Sequence, residues 1–221
     1  MRAVYLLDFN ACSVGCEKAV ENLPSDLSAR VINTTNEKRQ RERAFCYFLA
    51  YNLIKKAHPC DENASLSFYE SGKPYIKNSS LSISLAHSDS VAAVFISDEK
   101  EDVGIDIEVV TEKSERVSDA FLKNRVISFE LADENEVDIY IASIRDGITA
   151  DILKEENIFL KKELSGTDKW TYCESVLKCD GVGVCGINNV ADIIRSSRAR
   201  VLRVDINGKK YSLSIATKKK K

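Results

Sequence analysis

Polar and apolar positions alternate strictly through Leu81-Ser82-Ile83-Ser84-Leu85, and a period of two predicts a β-strand there. The apolar run over residues 91–97 predicts a second strand, separated from the first by His87-Ser88-Asp89-Ser90. A third spans 103–110: Val103, Ile105, Ile107 and Val109 fall on one face and Gly104, Asp106 and Glu108 on the other. Residues 1–8 begin apolar and break at Asp8, which reads as a first strand better than as a signal peptide. Over residues 38–56 the period lengthens, with Phe45, Phe48, Leu49 and Leu53 recurring at helical spacing. Ser71-Gly72-Lys73-Pro74 is a turn signal. Residues 114–168 are charged and mostly helical in character. A further helix is predicted over 170–178, with Asp168 as N-cap and Asp180-Gly181 as its stop. The chain closes on a hairpin, 200–206 and 210–217 around Asn207-Gly208. Each half thus offers a helix and a strand pair. The expectation is an α+β fold of two similar subdomains, residues 1–100 and 101–221.

Composition narrows the class. The 221 residues are 44% hydrophobic and 30% charged, ordinary values for a globular protein with a real core. A net charge of −2 leaves no global nucleic-acid or membrane footprint, and no apolar run reaches transmembrane length. Seven cysteines, an odd number with no C-x-x-C pair, and two histidines argue against a zinc site. Reduced thiols point to a cytoplasmic protein. The terminal lysines read as a solvated tail.

Candidate chemistry falls in five islands. Asp106 and Glu108 place two carboxylates two residues apart on one strand face. Such a pair is costly to bury without a cation, and hard oxygen ligands on a rigid strand suit Mg²⁺. An edge strand whose polar face meets water would read the same way. Lys38-Arg39-Gln40-Arg41-Glu42-Arg43 opens the long helix with basic residues that can hold a phosphate or simply be solvated. Gly72-Lys73-Pro74 is a rigid turn with one cation. His87-Ser88, at a strand end, can bind phosphate through its imidazole, hydroxyl and backbone N–H groups. Trp170, Glu174 and Lys178 line one helical face; the last two are either a surface pair worth about 0.2–0.5 kcal/mol or a metal ligand beside a phosphate-binding ammonium.

In this order the islands resemble the 4′-phosphopantetheinyl transferases, in particular the larger monomeric kind that activates peptide and polyketide synthetases. The resemblance spans residues 43–183 through short matches, above all Gly104-Ile105-Asp106-Ile107-Glu108 with the later Glu174-Ser175, Lys178 and Gly181-x-Gly183. It implies two similar α+β subdomains with the site between them, and transfer of the phosphopantetheine arm of coenzyme A to a serine of an apo acyl or peptidyl carrier protein. By the same resemblance Asp106, Glu108 and Glu174 are Mg²⁺ ligands, and Lys178 contacts the diphosphate and supports proton transfer. His87 and Ser88 lie at the coenzyme A phosphates, Arg43 near the 3′-phosphate, and Lys73 in the turn beside the adenine. Glu174 is the candidate base for the serine proton. Two departures stand out. Cys173 occupies the place where the family carries a lysine, with Lys169 one turn earlier as a substitute. The interval from Asp106 to Trp170 also exceeds the family's, and its runs over 130–138 and 154–163 match poorly. A degenerate relative that binds coenzyme A or a carrier without turnover, and an α+β interaction domain, are the alternatives.

Overall fold

The computed structural model describes residues 2–61, 63–123, 127, 129, 131, 137–145, 149–154, 158–160 and 163–218. Most of the acidic run 130–138, parts of 154–163, Lys219 to Lys221 and the side chain of Cys185 lie outside the described residues. The chain is mixed α+β. In order it forms β1 (Arg2–Asp8), α1 (Cys16–Glu21), α2 (Ser25–Ile32), α3 (Glu37–Ala57), β2 (Ser65–Phe68), β3 (Pro74–Lys77), β4 (Ser82–Ser88), β5 (Val91–Ser97) and β6 (Val103–Val109). Then come α4 (Glu112–Leu122), β7 (Asp138–Arg145), β8 (Thr149–Lys154), β9 (Ile158–Leu160), α5 (Gly166–Asp180), a 3-10 turn (Gly183–Asn189), α6 (Val190–Arg195), β10 (Ser197–Ile206) and β11 (Lys209–Lys218).

Two sheets carry the fold. The first has the order β4-β5-β1-β7-β8, the second β6-β11-β10-β9, and β2 and β3 form a separate hairpin. All seven residues of β5 are buried, because both of its faces are covered. Ala92, Val94 and Ile96 meet Phe45, Phe48 and Leu49 of α3 in one apolar cluster. Val91, Ala93 and Phe95 share a second cluster with Val103, Ile105, Ile107 and Leu213, so an apolar layer lies between the sheets. The far face of the second sheet packs on α5 through Tyr172, Cys173 and Val176 against Ala199, Val201 and Ala216.

Most predicted elements appear near their expected bounds, and two expectations change. Asp168 is not the N-cap of α5. Ser165 caps it, and Asp168 is the third helical residue, whose carboxylate accepts the Ser165 N–H in a capping box. Among the described residues, the stretch 114–168 is helical over α4 and again where α5 begins; β7, β8 and β9 lie between. In β7 the alternating Ile139 and Ile141 turn toward the layer between the sheets, and parallel pairing with β1 supplies its ladder. This pairing puts β7 and β8 of the second half into the first sheet.

Among the described residues no helix is long and apolar enough to cross a membrane.

Candidate functional site

The two sheets meet along a seam between edge strands β4 and β6. There the N–H groups of Ile105 and Val109, turned away from β11, donate to the hydroxyls of Ser84 and Ser88 at 3.1 Å each. Side chains of one strand thus satisfy the open edge of the other.

On β6 the face that bears Gly104, Asp106 and Glu108 continues across the ladder into Ala216, Ser214 and Ser212 of β11. This small, polar stripe receives α5. The Ser175 and Ser214 hydroxyls are 2.8 Å apart, and those of Thr171 and Ser212 2.9 Å. A Cβ on Gly104 would stand 1.9 Å from the Ser175 carbonyl oxygen, so the helix backbone is what the glycine admits. The N-terminus of α5 is fastened by Asp168, which accepts from Ser212 Oγ and Arg203, and by Glu115, which accepts from Ser165 Oγ and the Thr167 N–H.

Where α5 crosses the seam a cavity of about 600 Å³ opens, and nearly all the sequence-predicted residues line it: Arg43 on α3, Gly72-Lys73-Pro74 at the start of β3, His87 on β4, Asp106 and Glu108 on β6, and Trp170, Glu174 and Lys178 on α5. Asp106 is 6% exposed. Its Oδ1 accepts the Lys178 ammonium at 2.7 Å, which lies 3.8 Å from Glu174 Oε2, while Oδ2 is buried with no partner. Burial raises the Asp106 carboxyl against the pull of Lys178, with Glu174 and Glu108 adding to the rise. Burial also works against the Lys178 charge, but Asp106 and Glu174 outweigh it and raise its pKa. Glu108 is raised as well, by burial above all, although it accepts from Ser88 Oγ at 2.8 Å. Among the described residues no three His, Cys, Asp or Glu side chains stand close enough to hold a metal as they are. The donors facing the cavity are nonetheless carboxylate oxygens, and the orphaned Asp106 Oδ2 is one that a hard cation would satisfy.

The other side chains are less alike in role than their sequence islands. Arg43 donates to Thr34 Oγ1 at 2.8 Å, and Lys73 to the Cys179 carbonyl at 2.8 Å and to Asp102 at 2.5 Å, beside the end of α5. His87 and Ser88 point to opposite sides of β4, as neighbours on a strand must. His87 turns to the cavity, with Nδ1 3.3 Å from Glu42 Oε2, while Ser88 is spent on Glu108 and the Val109 N–H behind it. Burial drops the His87 pKa to about 4, with Lys178 and Arg43 adding to the fall. Cys173 is fully buried beneath α5, and Lys169 lines a separate small cavity with Asp119 and Leu122. Neither lines the large cavity. Sequence reading passed over Glu42, a 6% exposed acid inside a run read as basic, and Ser84. The only sign of Glu42 was its sign of charge.

No known family model and no curated protein matches this chain.

Proposed function

We propose that the chain is a 4′-phosphopantetheinyl transferase that moves the phosphopantetheine arm of coenzyme A to a serine of an apo acyl or peptidyl carrier protein. One observation carries this reading. Residues scattered from Arg43 to Lys178 meet around one cavity that holds buried carboxylates, an ammonium and an unpaired carboxylate oxygen. Its volume suits a nucleotide-sized ligand. Asp106, Glu108 and Glu174 are the residues that would hold Mg²⁺, whose charge, when bound, would neutralise the diphosphate and polarise the phosphorus under attack.

The remaining work belongs to the chain's own side chains. The serine oxygen attacks the phosphorus that bears the pantetheine arm. The bond from that phosphorus to the bridging oxygen breaks, and adenosine 3′,5′-bisphosphate leaves with the electron pair. Glu174 takes the serine proton. Lys178, already aligned by Asp106, swings its charge toward the diphosphate as negative charge builds on the leaving oxygen. Arg43 and Lys73 bind the nucleotide end from α3 and from the turn before β3. An apolar groove lined by Val117, Phe121 and Trp170 adjoins the cavity at Glu108, and it is the side from which the acceptor would approach.

The test is a mass measurement. Incubation with an apo carrier protein, coenzyme A and Mg²⁺ should add one phosphopantetheine arm to the carrier, and chelation of the metal should stop the gain. Binding of coenzyme A without any gain would overturn transfer and leave a binding module.

A further inference from the structure

Glu42 has no part in the transfer reading, yet it is the most deeply placed carboxylate on α3. It is 6% exposed in a helix turn whose other charged side chains reach solvent or the cavity. Its two oxygens face different partners. Oε1 lies 3.7 Å from the Lys38 ammonium, one turn earlier and largely exposed, and Oε2 lies 3.3 Å from His87 Nδ1. We propose that Glu42 is a positioning residue: it takes the Nδ1–H of His87 across the gap between α3 and β4, fixes the ring in one tautomer, and turns Nε2 to the cavity.

The geometry leaves little alternative use for this acid. A buried carboxylate without a partner is costly, and among the described contacts Lys38 at 3.7 Å and His87 at 3.3 Å are its ion-pair partners. Lys38 is 70% exposed and offers little. The imidazole gains more than charge from the contact. A ring anchored at one nitrogen has its other nitrogen aimed, which is how a histidine becomes a directed donor or acceptor rather than a swivelling one. Burial raises the Glu42 pKa and lowers that of His87. To hold an anion, the bare Nε2 takes a proton from solvent while Nδ1 keeps its own, and Glu42 then stands behind the imidazolium as its counter-ion. The ring can thus serve a phosphate without carrying an uncompensated charge.

The inference on ligand binding rests on the coenzyme A reading, whereas the tautomer does not. Nitrogen-15 NMR of the ligand-free protein should find His87 protonated at Nδ1 and bare at Nε2, with the preference blurred in Glu42→Gln. A ring protonated at Nε2 alone would overturn the proposal, whatever the protein's activity. Calorimetry with coenzyme A should show Glu42→Ala weakened roughly tenfold, the scale of one charge-assisted hydrogen bond. Glu42→Gln, whose amide oxygen still accepts, should recover part of that loss. Neither substitution should cost anything further in a His87→Ala background. A loss that persists there would make Glu42 a structural residue of α3 and sink the proposal. If the wild-type protein does not bind coenzyme A, the transfer reading fails and the NMR result alone decides the role of Glu42.

Discussion

At Asp106 the buried carboxylate with one idle oxygen is a poor choice for stability and a good one for holding a cation. Asp106→Asn and Glu174→Ala should each reduce carrier modification at least a hundredfold, read by mass, while circular dichroism stays that of the wild type. Cys173 gives the opposite lesson. A lysine there, as the resemblance calls for, would bury an ammonium beneath α5, so Cys173→Lys should lose about 3 kcal/mol or more in a denaturant titration. His87 makes stability depend on pH. Its folded pKa of about 4 lies below its ordinary 6.5, so in that window the unfolded chain takes up a proton that the folded one refuses. Stability from this group is complete above about 6.5 and falls away as the pH drops toward 4. In His87→Gln the denaturation midpoint should decline less steeply over the same window. The carboxylates and Lys178 were legible in the sequence because their spacing is periodic. Glu42 was not, because its partner lies 45 residues on in the chain, on another element.

At the scale of elements, the strands and helices with a clean period were readable and the rest were not. The seven residues of β5 coincide with the predicted run, since a strand covered on both faces is apolar throughout. By contrast β7 alternates only briefly within a charged stretch, and its ladder depends on β1, more than 130 residues away. Local periodicity carries no word of such a partner. The closest fit between elements is that of α5 on β6. Gly104→Ala would press a methyl group against the Ser175 carbonyl and the Cys179 N–H. It should cost about 1–3 kcal/mol and, because Glu174 and Lys178 ride on the displaced helix, weaken coenzyme A binding as well. Equilibrium unfolding and calorimetry on the same variant check both effects.

For the molecule as a whole, the seam between β4 and β6 does more than bring the cavity residues together. Each of the two sheets ends in a strand with an unpaired edge, the kind of surface on which a second chain can add a strand of its own. Ser84 and Ser88 cover those of Ile105 and Val109 from within, at two points four residues apart, which fixes both the separation and the direction of the strands. The hydroxyls therefore close two open positions of the β6 edge and hold the seam beside the cavity in register. A chain carrying Ser84→Val and Ser88→Val together should scatter more light than the wild type at the same concentration. Selection for a protein that stays dispersed would in this way have kept its cavity in register, even in the absence of any substrate.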